Sequence, residues 1–217
     1  MKKLFAMLLA VVMVLSMAAC GGSSAPAATE APAATQAPAA APAAPAAPAA
    51  PAAPAGAAEF TGKLVAPFAV TSCGQSPGAT MLNVVATQAK LTSVCDNAMT
   101  ADAIPEGTKT LIITMGTSGK GMGAAGTDVD MELARCTELA NAAHAAGMLV
   151  VGAHVEGMAR RTDANDQASI DGILAVSDAV LVIDDSDSDG FFTDYCEAHS
   201  IPLLKVPKAL DAGSVME

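Results

Sequence analysis

The chain predicts a doubly wound α/β domain behind an export signal and a tether, on three observations. Short runs of β-branched and apolar residues recur along the last part of the chain, from Phe60 to Glu217; these runs are continuous rather than alternating; and patterns of helical period separate them. Continuous apolar strands are buried on both faces, which is the habit of a parallel sheet, and the helices between them supply the covering layers. The expected fold is a mostly parallel sheet of five or six strands in a three-layer, flavodoxin-like or Rossmann-like domain, with the strand order left open.

The first strand is expected at Phe68–Ser72, beginning after Pro67 because proline is poorly tolerated inside a central strand. A helix follows over 79–91, with Met81, Leu82, Val85 and Ala89 on one face. A weak strand near Val94 leads to a turn at Pro105, Glu106 and Gly107, and 111–115 reads as a strong buried strand. Val129, Leu133, Cys136 and Ala140 repeat at helical spacing, so a long helix is expected over 127–146, capped by Thr127 or Asp128 and ended by Gly147. Strands at 148–153, 179–183 and 202–206, with helices at 167–176 and 191–199, complete the series.

Ahead of this domain stand Lys2 and Lys3, an apolar run from Leu4 to Leu15, and small residues before Cys20. A dozen apolar residues form a secretory signal rather than a membrane span, which takes roughly 20. Leu15, Ser16, Met17, Ala18, Ala19 and Cys20 resemble a lipobox, with Met17 where Leu is usual. The expected signal peptide is therefore 1–19. Cys20 would carry diacylglycerol and a fatty acyl chain such as palmitate, and the protein would be anchored in the cell membrane on its extracytoplasmic face. Residues 23–58 are almost entirely Ala and Pro. Recurrent proline forbids a stable helix, so the 20–58 segment reads as an extended disordered tether with a reach on the order of 100 Å. The single domain is assigned to 59–217.

Losing Lys2 and Lys3 from 11 basic residues leaves 9 against 22 acidic ones, a net charge of about −13. Nucleic acid is thereby disfavoured, since phosphate binding depends on a basic surface. The absence of Trp and a single Tyr disfavour ligands held by stacking. Cys73, Cys95, Cys136 and Cys196 contain no C-x-x-C and no Cys/His spacing suited to zinc. Cys136 and Cys196 read as small core residues, and Cys73 and Cys95 as possible neighbours across two strands.

In a wound sheet, ligands sit beyond the carboxyl ends of the strands, near the point where strand order reverses. Four loops should open there. The first holds Ser72, Cys73, Gly74, Gln75, Ser76, Pro77 and Gly78. The second is the glycine-rich run 116–126, with Gly116, Thr117, Ser118, Lys120, Gly121 and Gly123. The third runs from His154 through Arg160 and Arg161. The fourth is acidic, with Asp184, Asp185, Asp187 and Asp189. On the Ser72–Ser76 run, the 116–126 loop, Ala159-Arg160-Arg161 and Asp189-Gly190-Phe191, the chain resembles an uncharacterised family of bacterial surface lipoproteins with a domain of unknown function. The resemblance covers nearly all of the domain, departs at Cys73 where a smaller Ala is expected, and implies no activity.

The glycine-rich loop is not a Walker A motif: Lys120 is followed by Gly121, and Thr114 stands where the first Gly belongs. Its backbone N–H groups, Lys120 and the following helix could still cradle a carboxylate or phosphate, with Arg160 and Arg161 adding charge. Gly74-Gln75-Ser76-Pro77-Gly78 matches a G-x-S-x-G elbow, and His154 and Asp184 follow neighbouring strands. Pro77, however, has no N–H to give an oxyanion, and the order Ser, His, Asp differs from that fold's. Asp185, Asp187, Asp189 and Gly190 match the start of a calcium loop, although Cys196 stands where a bidentate carboxylate belongs. The preferred reading is a non-enzymatic module binding a small polar or anionic solute, with calcium as a possible companion. The alternatives are a hydrolase-like enzyme using Ser76 or Cys73 with His154, and a protein-interaction domain with a membrane-protein partner.

Overall fold

The computed structural model describes residues 60–217. The expected signal peptide, the lipidated Cys20 and the Ala/Pro tether lie outside the described residues. In chain order the elements are β1 (Phe68–Ser72), α1 (Gly78–Gln88), β2 (Ser93–Cys95), β3 (Thr110–Thr114), α2 (Gly119–Ala125), α3 (Val129–Ala145), β4 (Leu149–His154), α4 (Ala164–Leu174), β5 (Ala179–Ile183), α5 (Phe191–His199) and β6 (Leu203–Val206). All six strands are parallel in one sheet of order β2-β1-β3-β4-β5-β6. The order reverses between β1 and β3, which makes the sheet doubly wound and sets the switch point at the ends of those two strands.

The central strands are mostly apolar because both faces are covered, with polar Thr71, Ser72, Thr110, Thr114 and His154 at their ends. Every residue of β1, β3 and β4 is buried. Successive side chains point to opposite faces. Phe68, Val70, Ile112, Val151 and Leu181 pack with Leu82 and Val85 of α1 and with the C-terminal 3-10 turns at Ala209–Val215. Ala69, Leu111, Ile113, Val150 and Val180 pack on the other face with Leu139 of α3, Ile170 and Ile173 of α4, and Phe192 of α5. Each such aliphatic or aromatic side chain contributes roughly 1.5–3 kcal/mol by leaving water.

Two expectations are corrected. The glycine-rich run is not wholly a loop, because residues Gly119–Ala125 form the short helix α2, which Ser118 caps by accepting the N–H of Gly121 at 3.1 Å. Glycine lowers helix propensity by about 1 kcal/mol relative to alanine, yet tertiary packing requires it at Gly121, where a Cβ would run into the carbonyl oxygen of Gln75. Cys73 and Cys95 are not cross-strand neighbours: Cys95 lies opposite Val70, three residues before Cys73, and both cysteines are free.

Candidate functional site

Parallel strands point all their carboxyl ends to one edge, so the loops after β1, β3, β4 and β5 form a continuous rim in that order. Hydrogen bonds join each loop to the next. Ser118 N–H donates to Gly74 O at 2.8 Å, Arg160 donates to Thr117 O at 2.8 Å, and Arg161 donates to Ser186 O at 3.0 Å. Gln75, Lys120, Arg160 and Asp187 thus belong to one edge of the sheet.

At the switch point the first loop takes an unusual path: Gly74 has φ +122° and Gln75 φ +58°. Gly74 is required because a Cβ there would lie 2.7 Å from the Thr117 side chain and 2.9 Å from Gly116 O. The Gly74 N–H donates to Glu132 Oε2 at 3.1 Å, and Gln75 Nε2 donates to both Glu132 oxygens at 3.1 Å and to Asn97 O at 2.9 Å. Glu132, from the start of α3, is itself paired with Arg135 at 2.8 Å, and Arg135 also donates to Ser72 O. The carboxylate is buried, and the side-chain bond holds Gln75 in its left-handed conformation.

The same device recurs around the rim. Asp166 accepts the N–H and hydroxyl of Thr117, both at 2.8 Å, and the N–H and hydroxyl of Thr162. Burial pushes its carboxyl up, but these four donors outweigh burial and hold it below its ordinary value. Glu156 accepts the N–H of Gly78 at 2.9 Å and the Nε–H of Arg160 at 2.9 Å. Ser169 joins two loops by donating to Cys73 O at 2.5 Å and accepting the N–H of Gly116 at 3.1 Å. The missing Cβ of Gly116 leaves room for Arg160.

The acidic loop gathers no cation site. Asp185 accepts the N–H of Met158. Asp187 is buried, accepts the N–H groups of Phe192 and Thr193 and the Thr193 hydroxyl, and pairs with Lys205 at 3.0 Å. Asp189 pairs with Arg161 at 2.7 Å, and the Arg161 guanidinium lies over the Phe191 ring at 4.6 Å. Asp189 also accepts the N–H of Phe191 at 3.3 Å, so Asp187 and Asp189 both serve the start of α5 while Asp185 serves the neighbouring loop. Among the described residues no three His, Cys, Asp or Glu side chains are placed to hold a metal ion.

The serine, cysteine and histidine do not form a catalytic set. Ser76 is buried; its N–H donates to Ser72 Oγ at 2.9 Å, and its hydroxyl lies 3.3 Å from the same oxygen. His154 is also buried, with Nε2 facing Arg160 O at 3.2 Å and Nδ1 facing the Ser186 hydroxyl at 2.7 Å. A carbonyl can only accept, so Nε2 carries a proton toward Arg160, while the one proton of the Ser186 hydroxyl has two acceptors in reach, Nδ1 and His154 O at 2.8 Å. Burial lowers the imidazole's pKa and keeps it neutral. Among the described residues no hydrogen bond joins His154 to Ser76 or Cys73.

Lys120 and Gly123 are exposed on α2, and Lys120 is the cation of these four loops that has no carboxylate partner among the described residues. Sequence reasoning missed Glu132, Glu156 and Asp166. One signal was available for two of them: a helix after a parallel strand begins at the carboxyl edge, so acids in the first turns of α3 and α4 face the rim. The family model described as "Domain of unknown function (DUF6305)" matches residues 65–217. No curated protein and no solved structure matches the chain.

Proposed function

Taking as premise that the chain belongs to the DUF6305 family, we propose that it is a surface-anchored lipoprotein whose α/β domain binds the anionic group of a small polar solute at Lys120. The anchoring part rests on the residues before the domain: a basic start, a short apolar run, a lipobox-like segment ending at Cys20, and an Ala/Pro spacer. Labelled fatty acid should enter the wild-type chain in a bacterial host and not Cys20→Ser; equal labelling of the two removes this part.

The observation that carries the binding part is that, among the described residues, Lys120 is the one cation of the four rim loops with no carboxylate partner. Arg160 and Arg161 are committed to Glu156 and Asp189, while Lys120 stands exposed beside the Ser118 and Gln75 loops. Catalysis is the weaker reading, because Ser76 and His154 are buried and engaged with other partners. Melting the full chain with phosphate, sulfate and small carboxylates tests it: an anion that raises the wild-type midpoint should leave Lys120→Ala unmoved. An equal rise in both proteins removes Lys120 from the reading.

A specific observation favours protein recognition as the second reading. The loops after β1 and β3 press on each other at Gly74, Thr117, Gln75 and Gly121, closing the crevice in which a wound sheet would enclose a ligand, and Met131 and Met158 stand exposed beside the rim. Crosslinking from intact cells distinguishes the two: a specific membrane-protein adduct together with no response to anions selects the interaction domain.

A further inference from the structure

Strand β6 ends the sheet, and its outer edge is bare. Pro202 O and Val206 O accept the N–H groups of Val180 and Asp184, so the even-numbered residues of this stretch face β5. Peptide groups alternate in direction along a parallel strand, and the N–H and C=O groups of Leu203 and Lys205 therefore point away from the sheet. Among the described residues nothing is hydrogen-bonded to them. Pro202 and Pro207 bound the stretch, since neither can donate. A lysine on an edge strand ordinarily guards it with charge, but Lys205 is drawn to the buried Asp187 at 3.0 Å. Beside this edge, on the α5 side, lies a groove of about 420 Å³ whose apolar lining includes Cys196, Ile201, Pro202 and Leu203. The one charged group in that lining is Glu197, which is exposed and has no cationic partner among the described residues.

We propose that the β6 edge is a docking site for an extended peptide segment that carries lysine or arginine. The main chain of the segment pairs with Leu203 and Lys205 as an added strand. Successive side chains of a strand fall on opposite faces, so every second one meets the groove, and the basic residue takes one of those places. An apolar trough with a lone carboxylate fits a side chain that has an aliphatic stem and a cationic head: the stem lies along Ile201 and Leu203, and the head reaches Glu197. The balance of the whole chain, 22 acidic residues against 11 basic ones, draws a cationic segment in and repels a second acidic copy. Glu197 and Leu203 lie outside the four rim loops, and the proposal stands whether or not the rim binds an anion.

The test selects binders to the full chain from a library of random linear peptides and synthesises an enriched one. The expected result is enrichment of segments with Lys or Arg among β-branched residues, and protection of the Leu203 and Lys205 amides from hydrogen exchange when the synthetic peptide is added. Glu197→Gln, which alters one exposed side chain and keeps the shape of the groove, should weaken the peptide about fivefold. Replacing the basic residue of the peptide by norleucine should weaken it as much, and methylating the peptide nitrogens that face the edge should abolish binding. No enrichment, equal affinity for Glu197→Gln, or binding that leaves the two amides unprotected overturns the proposal. Protection that is present without peptide and grows with protein concentration also overturns it, because a second copy then occupies the edge. Peptides whose binding is lost in Lys120→Ala and kept in Glu197→Gln belong to the rim and count equally against it.

Discussion

Glu132 Oε2 accepts the backbone N–H of Gly74 at 3.1 Å, across 58 residues of sequence and at the point where the strand order reverses. Open α/β sheets present N–H groups there to the anionic part of a ligand. In this domain a side chain supplies the anion, and Arg135 balances it. Asp166 does the same for Thr117, as does Glu156 for Gly78. Part of the strong acidity of the chain is thus spent internally, on backbone donors that the rim would otherwise leave unpaired.

Removing the Glu132 carboxylate should therefore be severe. Glu132→Ala leaves the Gly74 N–H and the buried part of Arg135 without their acceptor, a change that costs about 3–5 kcal/mol when one member of a buried pair is lost. Glu132→Gln keeps an acceptor for Gly74 and should cost less. Urea unfolding of the two variants checks the order; equal losses would show that charge, not the Gly74 bond, is what matters.

Acid should loosen the rim through Asp166 and Asp187. Burial raises both carboxyls, but hydrogen bonds outweigh it in each, and both are held below the ordinary value of 3.8. The stabilisation they give is complete above that value, where the unfolded chain is also ionised. It declines as pH falls from about 4 toward the folded-state values, because the unfolded chain takes up protons first. Melting midpoints measured from pH 6 down to 2.5 should fall in that window, and Asp166→Asn should start lower at pH 6 and fall less steeply. A parallel curve for the variant would remove Asp166 from the acid transition.

The sheet was legible in the sequence because its strands are apolar without alternation. Phe68–Ser72, Ala179–Ile183 and Phe191–His199 fall where the pattern places them. The rim loops were legible too, since parallel strands must end on one edge. Their internal wiring was not. Gly74 with Glu132, Thr117 with Asp166 and Gly78 with Glu156 are separated by 58, 49 and 78 residues, and a carboxylate that serves a distant N–H looks in sequence like any solvated acid. Helix α2 was obscured for a different reason: Gly121 is there for its contact with Gln75, not for its propensity.

His154 should take up its proton below the ordinary histidine value. Burial is the main cause of its lowered pKa, and Nε2–H faces Arg160 O. A histidine depressed in the folded state is protonated first in the unfolded chain, so its penalty begins as pH falls below about 6.5 and grows toward the folded value. Nitrogen NMR through a pH titration should show this imidazole protonating below 6.5, with its neutral form keeping a proton on Nε2. A midpoint at or above 6.5 would overturn the assignment.

Calcium offers the sharpest check on the acidic loop. For Asp185, Asp187 and Asp189 to converge on one cation they would have to give up the N–H groups of Met158, Phe192 and Thr193 and their pairings with Lys205 and Arg161. Weak extracellular calcium sites bind at 10⁻⁴–10⁻³ M, and Asp187 has no side-chain surface exposed to meet an ion. Millimolar calcium should therefore leave the melting midpoint unmoved, while Asp187→Ala, which strands two backbone donors and Lys205, should lower stability by at least about 2 kcal/mol. A calcium-dependent rise that Asp187→Ala abolishes would mean that the loop rearranges around the ion, and the capping of α5 by Asp187 would then describe just the metal-free form.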